Sequence, residues 1–263
     1  MFLNKLGQSG FPFGTLEPIS IQFVIRKLSY DQMIACRAAA IYYLMLKKTD
    51  MLRYWTAGES HGKCLLALVD GFPAGFEIDP EKIDRLLRLR QGGYGRGGRQ
   101  KLETDRVEIL TGVWKNVTLG GPITLQVVNS DYKLERLKEL PRPRPGHGDL
   151  SGSIKYLSSM RGILERASAR ETCVRVAAGG LCQQLLQAFG IRVLGYVVEL
   201  GSMKIKPRDG DMDQRLAWRD ESIIYSLDPG QDQEAKSLVD QPRADGDTLG
   251  GIVEVVVDPS AKS

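Results

Sequence analysis

An α+β fold is predicted by three observations. The composition is that of an ordinary globular chain: 263 residues, 42% hydrophobic and 26% charged, enough for one large core or two modest ones. Strand-like and helix-like runs both occur after residue 51. One helical run, VRVAAGGLC, sets Ala177, Ala178, Gly179 and Gly180 side by side. Glycine inside a helix costs about 1 kcal/mol relative to alanine, so two in a row point to close backbone contact with another helix or a ligand, and to a central, buried helix.

The elements follow in order. Leu52 to Thr56 reads as a strand, then a tight turn, then a strand from Cys64 to Val69. Asp79 and Pro80 make a helix start, an N-cap followed by proline at the first helical position. Ile83, Leu86, Leu87 and Leu89 supply its apolar face, and Gln91-Gly92-Gly93 ends it. Strands are expected at Val107 to Leu110 and Ile123 to Val128, followed by a proline-rich loop, PRPRPGHGD. A long helix is expected from about Gly162 to Phe189, closed by Gly190. IRVLGYVVEL reads as a strand, PRDGDMDQ as a surface loop, Asp232 to Val239 as a helix and GGIVEVVV as a final strand.

Residues 1–50 differ from the rest, with few acids and a single apolar run. They read as upstream sequence joined to a domain that starts at Met51, as an organellar targeting segment, or as an accessory extension. In the first reading they add nothing to the fold. The domain division expected is thus 1–50 and 51–263.

Charge argues against a nucleic-acid-binding protein. The chain holds 36 Lys+Arg and 32 Asp+Glu, but the first 50 residues contain six and three of these, leaving 30 against 29 in the body. Gripping a nucleic-acid backbone usually takes a broad basic excess. Cys36, Cys64, Cys173 and Cys182 are scattered, with no metal-ligand spacing, as in a reduced intracellular protein. No apolar run approaches the roughly 18 residues of a membrane span.

Three clusters carry candidate chemistry. The only two histidines, His61 in AGESHGK and His147 in RPRPGHGDL, both lie beside glycine in polar turns, where an imidazole suits proton transfer. RQGGYGRGGR, residues 90–99, has G-x-G-x-x-G spacing but follows a helix rather than a strand, which removes the dinucleotide reading. Its glycines are better read as letting Arg90, Arg96 and Arg99 converge on a carboxylate or phosphate. In ERASARETCVRV, Arg166 and Arg170 are four apart and share a helical face. They are either surface ion pairs with Glu165 or Glu171, or buried arginines that require an anionic ligand.

AGESHG, RQGGYGRGGR with the acidic pair of KLETDRVEILTGV, RPGHGDL, SARETCVRVAAG and DGDTLGGIVEVVV together resemble the chorismate synthase family, in that order, over about residues 51–257. The resemblance implies a β-α-β sandwich, helices between two antiparallel sheets, assembled as a homotetramer. It implies the 1,4-elimination of phosphate from 5-enolpyruvylshikimate 3-phosphate to give chorismate. Reduced FMN is the implied cofactor, and NADP an associated nucleotide. His61 and His147 match the family's catalytic histidines, the first donating a proton to the departing phosphate and the second serving the flavin. Ser60, Arg90, Arg96 and Arg170 are then expected on the substrate, and Arg166, Ala167 and Ser168 on the flavin.

Two departures accompany the match. RPGHAD of the family is RPGHGD here, and the loop from Ser130 to Arg142 looks shorter than in many relatives. The family also continues for a further C-terminal segment, so the chain is expected to be a truncated domain. The competing expectation is a non-catalytic anion-binding or assembly remnant of the same fold. Localisation is expected to be cytoplasmic, or plastid if residues 1–50 are a targeting segment.

Overall fold

The computed structural model describes residues 19–25, 52–97 and 103–259. Two four-stranded antiparallel sheets enclose a layer of helices. The first has strand order β2-β3-β7-β4, formed by β2 (Arg53–Gly58), β3 (Cys64–Asp70), β4 (Glu108–Thr111) and β7 (Ile123–Val128). The second has order β1-β10-β8-β9, from β1 (Ile19–Ile25), β8 (Arg192–Leu200), β9 (Met203–Lys204) and β10 (Gly251–Asp258). A small hairpin, β5 (Val113–Trp114) with β6 (Val117–Thr118), completes the strands.

Between the sheets lie α1 (Pro80–Gln91) and α4 (Thr172–Ala188), and α4 packs on β3 and β7 on one side and on β8 on the other. The period-2 alternation of β3 and β7 buries Leu65, Ala67 and Val69 with Ile123, Leu125 and Val127 on the inner face. Ile83 and Leu87 of α1 and Val174, Ala177 and Leu181 of α4 close the same core. Each of the valine, leucine and isoleucine side chains, fully buried, contributes about 1.5–3 kcal/mol. The reason for Gly180 is now visible: a Cβ there would stand 3.3 Å from the Cα of Ile83 and 3.1 Å from Leu86, so α1 and α4 pack closely at that point.

The second sheet is covered on both faces. Val193 and Val255 meet Cys182 of α4, whereas Leu194, Tyr196 and Val256 meet Met212 of α5 (Met212–Glu221). Val197 and Val253 pack with Ala235 of α6 (Asp232–Asp245).

Several expectations are corrected. The predicted long helix is broken: α3 (Met160–Arg166) ends at Ala167, and Ser168 is extended (φ −65°, ψ 145°) with its side chain capping the Arg170 N–H. A 3₁₀ turn, Ala169–Glu171, then leads into α4. Part of PRDGDMDQ is the start of α5 rather than loop, closed by a reciprocal capping box between Asp211 and Gln214. Another helix, α2 (Asp149–Tyr156), follows the RPGHG turn and lies against α3, Gly152 meeting Ile163.

Residues 19–25 also differ from the expectation that the first 50 residues add nothing. All seven pair antiparallel with β10, Ile19 with Val257 through Ile25 with Gly251. The run ISIQFVI is β-branched and alternating, and β10 otherwise offers an open edge. Deleting residues 1–50 is therefore expected to lower the melting temperature by several degrees, about 2–4 °C per kcal/mol for a chain of this size, and to speed amide exchange in β10. An unchanged melting temperature and exchange pattern would return the segment to a passenger.

Candidate active site

The turn between β2 and β3 carries Ser60 and His61. Gly58 leaves β2 at φ 103°, and a Cβ there would meet the Cys64 carbonyl oxygen at 2.5 Å, so the reversal requires glycine. Ser60 is buried and its N–H donates to the Glu165 carbonyl at 2.8 Å. The His61 ring stands between two carboxylates: Nδ1 is 2.8 Å from Oε2 of buried Glu165, and Nε2 is 3.5 Å from Oδ2 of Asp131. The His61 N–H donates to the same Glu165 oxygen at 3.0 Å. The His61 carbonyl accepts from the N–H groups of Lys133 (3.1 Å) and Leu134 (2.9 Å), which fastens the loop after β7 to this turn.

One amide links this turn to the arginines. Asn129, at the end of β7, donates to the carbonyls of Glu59 (3.1 Å) and Gly62 (2.8 Å), and its oxygen accepts from Arg170 Nε at 2.8 Å. Arg170 then reaches Asp105 at 2.6 Å and Glu103 at 3.5 Å. From α1, Arg90 approaches the other oxygen of Asp105 at 3.3 Å and donates to Thr172 Oγ1 (3.0 Å) and the Ala169 carbonyl (3.2 Å). Burial opposes the charge on Arg170, but Cys173, Asp105 and Glu103 outweigh it and its pKa is raised.

These contacts correct two readings. Arg166 and Arg170 do not share a face, because the chain breaks between them. Nor do the buried arginines depend on a ligand for neutralisation: Glu103 and Asp105 are their counter-ions. Arg166 turns the other way, donating to the Thr56 carbonyl and hydroxyl, both at 2.9 Å, and standing 3.7 Å from Glu171. Glu165 pairs with Arg161 (3.4 Å) and His61 rather than with Arg166 or Arg170.

Arg96 lies apart from Arg90. Its Nε donates to the Gly92 carbonyl, and its charge acts on Tyr225, whose hydroxyl donates to Leu89 O at 2.7 Å. Gly98 and Arg99 are outside the described residues. His147 is exposed, with Nδ1 3.0 Å from the Pro145 carbonyl. Its loop is fixed by Arg144, which donates through backbone and guanidinium to Asp149 at 2.9–3.0 Å and draws that carboxyl down to about 2. A depressed carboxylate stabilises above its ordinary range, and the contribution is lost only as pH falls toward about 2. Arg144 also feels the charge of Glu165.

Sequence reasoning missed Asn129, Asp131 and the role of Glu165. Only Glu165 carried a local signal, as the acid beside Arg166 in LERASAR. Cysteine chemistry has no support, since burial pushes the thiols of Cys173 and Cys182 up to about 12. Among the described residues no three metal-ligating side chains cluster, and no helix is long and apolar enough to cross a membrane.

A histidine held by a buried carboxylate, joined through Asn129 to interleaved arginines and acids, gives this α+β sandwich a candidate acid–base site. A family model for chorismate synthase matches residues 52–262. Chorismate synthase of Trichlorobacter lovleyi is 48% identical over 219 residues, covering 78% of this chain and 56% of the relative. That of Symbiobacterium thermophilum is 46% identical over 224 residues, covering 78% and 57%. A crystal structure of chorismate synthase superposes with a TM-score of 0.66 at 36% identity, covering 80% of this chain and 59% of that one. The chain belongs to the chorismate synthase family, and it spans a little over half the length of these curated relatives.

Proposed function

We propose that this protein acts in the chorismate synthase reaction, the loss of phosphate and a ring hydrogen from 5-enolpyruvylshikimate 3-phosphate. The observation that carries the reading is the His61 turn. Glu165 holds Nδ1, so Nε2 is the atom that can give a proton to an oxygen of the departing phosphate. His61 gives this proton from its doubly protonated form. The C–O bond breaks with its electron pair on phosphate, the ring C–H pair forms the new double bond, and the proton released to solvent balances the one His61 takes back at Nε2.

The doubly negative phosphate and two carboxylates of the substrate call for cations near this turn. Arg96 is proposed to contact the substrate directly, and Ser60 to shape the His61 turn. Arg90 and Arg170 are proposed to complete the site from beneath, where Glu103 and Asp105 hold them in place. His147, exposed on its anchored loop, is the second proposed acid–base group.

Arg166, bonded to Thr56 and 3.7 Å from Glu171, keeps 42% of its side chain exposed, and Ala167 beside it is exposed, so this segment is accessible to an anionic group. When bound, reduced FMN supplies electron density that eases phosphate departure without net redox change. Arg166, Ala167 and Ser168 would hold it. A homotetramer and a cytoplasmic location complete the proposal, on the strength of the family, while the strand at residues 19–25 extends the folded unit beyond the expected domain of 51–263.

The test is anaerobic incubation of the protein with substrate and chemically reduced FMN, following phosphate and chorismate. Release of both supports the reading; binding of substrate without release would leave an anion-binding relative of the same fold. Arg96→Ala is expected to weaken substrate affinity by roughly one to two orders of magnitude, since a charge-assisted hydrogen bond contributes about 1.5–3 kcal/mol. Arg96→Lys is expected to restore only part of this, because an ammonium lacks the guanidinium fork. Calorimetric titration decides, and unchanged affinity in the alanine variant would remove Arg96 from the site.

A further inference from the structure

The reaction proposed above uses Nε2 of His61 as the proton donor, and the buried acid beneath it decides how the ring is presented. Glu165 belongs to the last turn of α3, and its side chain has no exposed surface. It grips the ESHG turn three times: its carbonyl accepts from Ser60 N–H (2.8 Å), and Oε2 meets both the His61 N–H (3.0 Å) and Nδ1 (2.8 Å). Its other oxygen faces Arg161 at 3.4 Å. A carboxylate sharing one oxygen between two donors fixes the imidazole in rotation as well as in tautomer, because only an Nδ1–H can occupy the second position.

The consequence lies at the opposite nitrogen. With Nδ1 held as a donor, Nε2 is the atom left to exchange a proton, and it faces the 3.5 Å gap to Asp131, whose carboxylate is itself held by Lys133 Nζ at 2.8 Å. The His61 side chain is 19% exposed, whereas that of Glu165 is fully buried.

We infer that Glu165 is a positioning residue: it orients His61 and selects the Nδ1–H form, so that proton transfer passes through Nε2 alone. This rests on His61 being the general acid, and the acid that steers it is supplied by a different element, 104 residues away in sequence.

The test reads the ring directly. The chain has two histidines, so nitrogen-detected imidazole spectra of labelled protein contain two ring systems, and His147→Gln assigns them. Above the titration range, neutral His61 is expected as the Nδ1–H tautomer in the parent. Glu165→Leu is expected to release it toward the Nε2–H form that free imidazole prefers. Glu165→Gln is expected to retain Nδ1–H through its amide oxygen. In turnover assays Glu165→Leu is expected to lower kcat roughly ten- to a hundredfold, part of the whole general-acid effect of about 10²–10⁴, with KM little changed. Glu165→Gln is expected to recover part of that loss.

An Nε2–H parent, or a Glu165→Leu spectrum identical to the parent, would overturn the inference. If Glu165→Leu fails to fold, the parent and Glu165→Gln spectra decide alone. A parent that shows the Nδ1–H form but no turnover would refute the proposed reaction while leaving the steering of His61 in place. A rise in KM with a fall in kcat and an unchanged tautomer would mark Glu165 as a structural tie only.

Discussion

His61→Ala is expected to keep substrate binding and to lower turnover by about two to four orders of magnitude, the usual contribution of a general acid. Binding survives because the cations of the proposed site come from other elements: Arg90 from α1, Arg170 from the turn before α4, and Arg96 from the loop after α1. Turnover falls because the proton donor proposed at Nε2 is lost with the ring. The variant leaves Glu165 buried with Arg161 and the residue 61 N–H as partners, so a modest loss of stability should accompany it. Substrate titration and anaerobic turnover on one preparation separate the two effects. Full turnover in His61→Ala would end the general-acid assignment.

The second large effect concerns stability. Asp105→Ala is expected to destabilise the protein by about 3–5 kcal/mol, because it leaves two buried arginines facing each other without the carboxylate they share. Asp105 offers one oxygen to Arg90 at 3.3 Å and the other to Arg170 at 2.6 Å, and both guanidiniums are almost wholly buried. Glu103 compensates only partly, being 3.5 Å from Arg170. The melting temperature should fall by roughly 6–20 °C, and Asp105→Asn should lie between the parent and Asp105→Ala. A fall of less than a couple of degrees would mean that water reaches and solvates the pair.

What the sequence made legible was local or periodic. The β2–β3 hairpin, the Asp79-Pro80 helix start, the Ile123–Val128 strand and the reason for Gly180 all depend on neighbours within a few residues or on a face of fixed period. The break at Ala167–Ser168 was hidden because the apolar period runs straight through it and no proline or glycine marks it. A trace existed, since Ser168 stands three residues before Glu171, the spacing of a capping box, but it lay inside an apparent helix. The same spacing, Asp211 to Gln214, announced α5 and was passed over.

The candidate site was legible as a set of residues and not as a set of contacts. Its histidines and arginines stand in recognisable motifs, whereas what each one touches depends on pairs 65 or 104 residues apart, Arg170 with Asp105 and His61 with Glu165. Arg90 and Arg170 therefore looked like free anion ligands until the packing of α1 against α4 brought the acidic pair between them.

The amide that joins the two halves of the site also bears on how long the protein lasts. Asn129 is followed by Ser130, a dipeptide prone to deamidate when the serine nitrogen is free to attack the side-chain carbonyl. Here Asn129 is buried with both ends of its amide engaged, and the Ser130 N–H is held by Glu103 at 2.8 Å. The folded chain should therefore age slowly at this position and the unfolded chain quickly, a contrast that peptide mass mapping after incubation would read. Once formed, an aspartate there would face the carbonyls of Glu59 and Gly62, so that a chemical clock runs on the same atoms that hold the histidine turn against the arginines.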